Sequence, residues 1–191
     1  MSNYQPGPGE GRLGKQLKLI SRHLDAAGNG TGNKNFVADY SGAQEIAYIQ
    51  PPAGKIYRIA RMLVLVSGRA SSFKTDTYGS VPVLANGVQV RTQDDSGTIV
   101  DFTDGVPIDT NGCWGRLCFD SELYSDIAGT DTYLRVRWTF DKSGQQIRLV
   151  GDNNERLEVL LNDDFTDAGG VDALSKHHFL VQGYEEDPAE P

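Results

Sequence analysis

The segment YLRVRWTF, residues 133–140, shows the plainest alternation of apolar and polar side chains in the sequence. Its apolar residues occupy every second position, and tyrosine, arginine and threonine lie between them. The apolar positions are Leu134, Val136, Trp138 and Phe140. A period of two predicts an antiparallel strand with one buried face and one solvated face. We therefore expect Trp138 to lie in the core.

The segment KIYRIARMLVLVSG, residues 55–68, departs from this alternation, because both faces are apolar from Met62 to Val66. A strand of this kind is covered on both sides, either by a second sheet and a loop or by another subunit. We expect the run RMLVLV to supply an apolar patch that copies of the chain share.

Short β-rich runs separated by turn clusters fill most of the remaining sequence. The pair Asn86-Gly87 lies between two such runs and predicts a type I′ hairpin that pairs Val83 with Val90. The segment LGKQLKLISRHLD, residues 13–25, fits both helical and strand spacing, and we favour a strand because everything after it is β. Further strands are predicted at residues 35–40, 45–50, 98–103, 146–150, 156–161 and 178–184.

About nine strands with turn signals roughly every 8–12 residues predict an all-β protein, an antiparallel two-sheet β-sandwich of the jelly-roll type. Residues 1–11 are rich in glycine and proline and predict a flexible N-terminal arm. The predicted division gives residues 1–22 to the arm and its lead-in segment, residues 23–185 to the β-sandwich and residues 186–191 to an acidic tail.

The glycine-rich stretch DAAGNGTGNKNFVADYSG, residues 25–42, has three interpretations: a phosphate loop, a calcium loop, or a turn between strands. A phosphate loop needs lysine directly after its last glycine and a helix beyond it, whereas Gly32 is followed by Asn33 and a predicted strand. An EF-hand loop needs ligands at its third and twelfth positions, which are Ala27 and Phe36 here. We therefore predict turn chemistry, with the glycines supplying positive φ angles.

The three histidines give a weak signal for a metal site. His177 and His178 are adjacent, so on a strand they belong to opposite faces and do not share an ion. His23 would have to meet one of them through the fold. We expect no metal and no cofactor from this pattern.

Two pairs of adjacent aspartates, Asp94-Asp95 and Asp163-Asp164, invite comparison with the carboxylate pair of a glycosidase. Adjacent aspartates also cap turns through their backbone, and that interpretation is favoured here. No G-x-S-x-G pattern marks a nucleophile. We expect no enzymatic activity, and a hydrolase using Asp163 or Asp164 is the remaining alternative.

The charge of the chain is uneven. There are 26 acidic and 18 basic side chains, for a formal net charge of −8, which argues against general nucleic-acid binding. The chain closes on the acidic sequence YEEDPAEP. The first segment carries a basic cluster at Arg12, Lys15, Lys18 and Arg22. These opposed ends are predicted to be solvated, or alternatively to meet complementary patches on neighbouring subunits.

The sequence contains no apolar window long enough to span a membrane, and its first residues lack the pattern of a signal peptide. Cys113 and Cys118 lie in a segment that reads as extended, which places their Cα atoms about 16 Å apart and argues against a mutual disulfide. We expect the protein to be made and assembled in the cytoplasm, with no membrane partner.

Several segments together resemble a group of small virion accessory proteins of tailed bacteriophages. They are GNGTGNKNFVADYS, IQPPAGKIYRIARMLVLV, YGSVPVLANGVQV, LCFD, LRVRWTFDKSGQQIRLVGDNNERLEVLLNDDFT and HHFLVQGY. The resemblance covers most of the chain after about Ser21 and leaves the N-terminal arm outside it. It brings no catalytic residues with it.

The resemblance implies a β-sandwich structural protein of the virion, in the first place a capsid decoration or cement protein that binds the assembled shell. A neck, tail or fibre-attachment role is the alternative within the virion, and a carbohydrate-binding sandwich module for host adhesion is the alternative of another class. The expected partners are further copies of the chain, in a trimer or similar ring, and the major capsid protein. The candidate contact residues are Tyr4, Arg12, Lys15, Lys18, Arg22, Met62, Val64 and Val66.

Overall fold

The structure is a computed structural model, and the part of the chain that it describes is almost entirely β. The described residues are 18–32, 42–68, 89–102, 120–125, 132–140, 146–162 and 176–187. They form ten strands and one short 3-10 turn at Gly151–Asn153. The strands are β1 Lys18–His23, β2 Glu45–Ile49, β3 Ile56–Gly68, β4 Gln89–Asp94, β5 Gly97–Asp101, β6 Asp120–Ser125, β7 Thr132–Thr139, β8 Ile147–Val150, β9 Arg156–Leu161 and β10 Lys176–Glu186.

The strands form two antiparallel sheets. The large sheet has six strands in the order β1-β10-β3-β7-β6, with β8 paired to the first part of β3. The small sheet has four strands in the order β2-β9-β4-β5. The first strands therefore pair with the last ones in alternate sheets: β1 with β10, β2 with β9, and β3 with β8.

Most of the predicted strands are confirmed where the structure describes them. The runs at 45–50, 98–103, 146–150, 156–161 and 178–184 correspond to β2, β5, β8, β9 and β10, and YLRVRWTF covers β7 except for its first residue, Thr132. The lead-in segment is a strand from Lys18, as favoured. The predicted strand at 35–40 and the Asn86-Gly87 turn lie outside the described residues.

The core lies between the two sheets and is built from every second residue of their strands. Buried side chains from both sheets belong to one hydrophobic cluster, which makes the architecture a two-layer sandwich. Its largest fully buried side chains are Leu24, Ile49, Ile59, Met62, Leu149, Leu157 and Phe179. Burial of this kind stabilises the fold by about 25 cal/mol per Å² of apolar surface.

Met62 and Val64 belong to this core, with 0% and 1% of their surface exposed. The prediction that they form a patch shared between copies is therefore wrong, because the small sheet of the same chain covers them. Val66 lies farther along β3, paired in register with His177 and Leu134.

A β-bulge in β3 explains why the simple alternation misleads. Ile59 pairs with Gly183 and Arg61 pairs with Gln182, so Ala60 is an extra residue without a partner in β10. The inward positions shift by one residue across the bulge, from Tyr57 and Ile59 to Met62 and Val64. Gly183 is required at this point, since a Cβ there would lie 2.0 Å from the carbonyl oxygen of Arg58.

Both predicted boundaries of the sandwich need correction. The division between residues 22 and 23 falls inside β1, whose residues from Lys18 onward pair with β10. The predicted acidic tail begins inside β10, because Glu186 is its last residue, is buried, and pairs with Arg58.

Candidate functional surfaces

The large exposed hydrophobic side chains of the described residues lie on strands at the ends of the two sheets. Leu19, on β1 at the end of the large sheet, is 76% exposed. Ile99 and Val100, on β5 at the end of the small sheet, are 49% and 45% exposed. End strands with exposed apolar side chains are suited to contact with another chain.

The basic residues of β1 lie beside acidic and phenolic groups of the same chain. Lys18 is exposed and its ammonium nitrogen lies 3.5 Å from a carboxylate oxygen of Glu185. Arg22 is exposed, and its positive charge acts on the hydroxyl of the nearby buried Tyr57. Burial and the nearby Glu185 carboxylate raise the pKa of Tyr57, and Arg22 opposes this rise. The other predicted contact residues of the arm, Tyr4, Arg12 and Lys15, lie outside the described residues.

The acidic residues at the end of β10 are matched by cations from β1, from β3 and from Lys55, the residue before β3. Arg58 lies 3.0 Å from Glu186, and Lys55 forms a salt bridge with Asp187. The Asp187 carboxylate raises the pKa of Lys55, and Lys55 lowers the pKa of Asp187. Part of the acidic C-terminal charge is thus balanced within one chain, so it does not require a neighbouring subunit.

The glycine-rich loop after β1 is organised by the buried side chain of Asp25. Its Oδ1 atom accepts hydrogen bonds from the backbone N–H groups of Ala27 and Asn29 at 3.0 and 3.2 Å, and its Oδ2 atom accepts one from Gly32 at 2.6 Å. Gly28 has a φ of 71°, and a Cβ there would overlap the ring of Tyr48. Through residue 32 the loop is a turn, as predicted, with the carboxylate occupied by backbone donors.

Burial of the Asp25 carboxylate opposes its ionisation, but the hydrogen bonds from the backbone N–H groups, led by those of Gly32 and Asn29, outweigh burial and lower the pKa of Asp25. A carboxyl group with a lowered pKa in the folded state contributes stability above its unfolded pKa and loses it as the pH falls through the folded value. The unfolded value is near the ordinary 3.8.

Replacing Asp25 with asparagine is expected to lower the free energy of unfolding by about 1–3 kcal/mol at pH 7, because an amide NH₂ group then faces a backbone donor. The difference from the wild type should shrink progressively as the pH falls below about 3.8 and through the lowered pKa of folded Asp25, where the wild-type carboxylate becomes protonated. Urea denaturation at several pH values measures both effects.

Asp152→Asn is the matched control, because Asp152 accepts one exposed hydrogen bond from the N–H of Gly54. Its replacement should change the free energy of unfolding by less than about 0.5 kcal/mol. A loss that is equal for both variants, or that persists unchanged at acidic pH, would contradict the proposed role of Asp25.

A buried ion cluster lies on the outer side of the small sheet. Glu158 is fully buried, and its carboxylate oxygens contact the guanidinium groups of Arg91, at 2.8 Å, and Arg156. Arg156 also lies over the ring of Tyr48, 5.5 Å from its centroid. The sequence analysis missed this cluster, although the pattern Arg156-x-Glu158 places a cation and an anion on one strand face.

The outer face of the large sheet has an open depression beside the bulge, with a volume of about 520 Å³. The side chains of Arg61 and Gln182 line it and hydrogen-bond to each other. The depression is also lined by Leu19, Ser21, Thr139 and Tyr184. It combines an aromatic ring, hydroxyl groups, an amide and a cation, which are the groups that bind polar ligands.

The predicted aspartate site at Asp94-Asp95 is a turn in the structure. Asp94 Oδ1 accepts hydrogen bonds from the N–H groups of Ser96 and Gly97 between β4 and β5. Asp95 accepts one from the side chain of Asn154. Capping of the turn, the favoured interpretation, is thus confirmed for Asp94. The Asp163-Asp164 pair and both cysteines lie outside the described residues.

His23 and His178 are brought together by the fold. Their rings are in contact between β1 and β10, with centroids 4.3 Å apart and an angle of 43° between the ring planes. Among the described residues no group of three or more histidine, cysteine or acidic side chains is arranged to hold a metal ion. The histidine pair is therefore a cluster of two within that part of the chain.

Within the described part of the chain, no helix is long and apolar enough to cross a membrane. Comparison of the chain with family models, with curated proteins and with solved structures found no match. The functional argument therefore proceeds from the residues and surfaces described above.

Proposed function

We propose that the protein is a structural protein of a bacteriophage virion, and specifically a decoration or cement protein that binds the assembled capsid and stabilises it. The observation that carries the proposal is the placement of the exposed apolar residues Leu19, Ile99 and Val100 on the end strands of the two sheets. Two such strands give the sandwich two separate contact surfaces, one for further copies and one for the shell.

The strand order supports a jelly roll as the type of sandwich. In a jelly roll the chain folds back on itself so that early and late strands become neighbours in alternate sheets. The pairs β1 with β10, β2 with β9 and β3 with β8 follow this arrangement. Jelly rolls occur in viral capsid domains and in lectins, so the fold agrees with the proposal without specifying it.

The proposed assembly is a homo-oligomer, with a trimer favoured, that contacts the major capsid protein. Several weak contacts per copy, multiplied by the number of copies, give stable attachment without a deep pocket. Residues 1–17 act in this proposal as an arm that reaches the shell, and exposed Lys18 and Arg22 continue its basic charge into β1. The protein carries out no catalysis and uses no cofactor in this role.

Substituting aspartate for Leu19 or for Val100 is expected to weaken capsid binding at least about tenfold, because each change places a charge in an apolar contact. Light scattering coupled to size-exclusion chromatography measures the oligomer. Co-sedimentation with capsids stripped of accessory proteins, from the phage that carries the gene, measures binding. Asp152→Ala is the control, because Asp152 is exposed and lies far from both end strands in the sequence.

The two measurements separate the two surfaces. Loss of the oligomer in one variant and loss of capsid binding in the other would assign a role to each end strand. A wild-type protein that is monomeric and does not sediment with capsids would overturn the proposal. Removal of residues 1–17 without any effect on binding would eliminate the arm from the mechanism.

Carbohydrate binding is the second candidate function, and the depression lined by Tyr184, Arg61 and Gln182 favours it. Tyr184 is half-buried, and a tyrosine that lines a depression beside hydrogen-bonding side chains is suited to stacking on a sugar ring. Retention on a glycan column that is lost in Tyr184→Ala would support an adhesion module. A neck, tail or fibre-attachment position remains the alternative within the virion, and labelling of intact particles would locate the protein.

A further inference from the structure

The histidine pair results from the register of β1 and β10. His23 pairs with Leu180, so His178 is the diagonal neighbour two residues away on the same face of the large sheet. Diagonal neighbours on antiparallel strands are within reach of long and aromatic side chains. The Nδ1 atom of His23 and the Nε2 atom of His178 contact each other, so two imidazole nitrogens converge on one point.

We infer that His23 and His178 form a two-imidazole site for a divalent late transition-metal ion, with Zn²⁺ as the ion to test first. Imidazole is a preferred ligand of zinc, copper and nickel, and it binds them through either of its two ring nitrogens. Water molecules complete the coordination, because both rings are only half-buried. This inference is independent of the proposed virion function.

The geometry of the pair is close to what a shared ion needs. Two zinc–nitrogen bonds of about 2.0–2.1 Å at an angle between roughly 90° and 110° place the two nitrogens about 2.9–3.4 Å apart. The two ring centroids are 4.3 Å apart, so the inference requires only that the rings rotate until their facing nitrogens reach this separation. The sheet thus holds both ligands in position before the ion arrives.

Metal binding changes the protonation of the pair in a defined way. Without metal, one ring nitrogen donates a proton to the other, and which ring carries it depends on the tautomer. A bound ion takes the place of that proton, which moves to the other nitrogen of its own ring. The net charge of the two imidazoles does not change, and the ion links β1 to β10 at the end of the large sheet.

Isothermal titration of Zn²⁺ into the full-length protein tests the inference. The wild type should bind one ion per chain at this site, and His23→Ala and His178→Ala should each weaken that binding at least about tenfold. His177→Ala is the matched control, because position 177 alternates with 178 along β10 and belongs to the opposite face. Cys113 and Cys118 are further potential zinc ligands, so the conclusion rests on the difference between the variants.

A spectroscopic measurement on the unmodified protein keeps the inference testable if a variant fails to fold. Zn²⁺ should shift the imidazole ¹⁵N resonances of two of the three histidines, and variants assign those two to His23 and His178. The melting temperature of the wild type should rise with Zn²⁺ concentration, and that of His23→Ala should not. Zinc affinity that is equal in all variants, or three imidazoles that do not respond to Zn²⁺, would overturn the inference.

Discussion

Replacing Met62 with alanine is expected to lower the free energy of unfolding by about 2–5 kcal/mol. The Met62 side chain is completely buried and belongs to the cluster that joins the two sheets, so its removal leaves a cavity that the surrounding strands fill only in part. The same residue was expected from the sequence to contact another subunit. Urea denaturation followed by tryptophan fluorescence and circular dichroism measures the loss.

Leu19→Ala is the matched control for Met62→Ala, since it also truncates a large apolar side chain but at a position that is 76% exposed. We expect it to change the free energy of unfolding by no more than about 0.5 kcal/mol. In an assembly assay the ranking should reverse, so that Leu19→Ala weakens assembly more than Met62→Ala does. Equal losses of unfolding free energy in the two variants would contradict the buried position of Met62. An oligomer that dissociates in Met62→Ala while the fold stays intact would show that Met62 lies on a contact surface.

The strands could be predicted from the sequence wherever side chains alternate without interruption. In β9 the positions Leu157, Val159 and Leu161 face the core, and the predicted bounds 156–161 coincide with the strand. Alternation is a local property, and it survives because each of these strands keeps one register along its length. The two-sheet architecture followed from the number and spacing of such runs.

The role of RMLVLV could not be predicted, because its face depends on a bulge that involves a distant strand. If the alternation continued unbroken through Ala60, the pattern that places Tyr57 and Ile59 in the core would place Met62 and Val64 on the outer face. Gly183, which permits the close approach of β3 and β10, lies more than a hundred residues away. An apolar run also does not indicate whether its own chain or another one covers it.

The histidine pair and the buried ion cluster could not be predicted from the sequence for a related reason. His23 and His178 are 155 positions apart, and Arg91 and Glu158 are 67 apart, so only the register of paired strands reveals their contact. Asp25 was more accessible, because an aspartate ahead of several glycines is a common cap of a tight loop. The sequence indicated the turn there, while the carboxylate that organises it was not singled out.

Removing both cations from the ion cluster, in Arg91→Met with Arg156→Met, is expected to lower the free energy of unfolding by about 3–5 kcal/mol at pH 7. The double variant leaves the Glu158 carboxylate buried without either guanidinium, and an unpaired charge in a buried position is far less stable than one in water. Each single variant should cost less, because the remaining arginine still pairs with the carboxylate. Urea denaturation of the four proteins measures these differences.

Adding Glu158→Gln to the double variant distinguishes a charge effect from lost packing. The neutral amide no longer requires a cation, so the triple variant should regain roughly half of the loss, whereas Glu158→Gln in the wild-type background should be destabilising. This opposite sign in the two backgrounds is the signature of a buried anion held by its arginines. If Glu158→Gln destabilises both backgrounds equally, the arginines support the small sheet through their packing on Tyr48 and its neighbours, and the carboxylate is not what holds them.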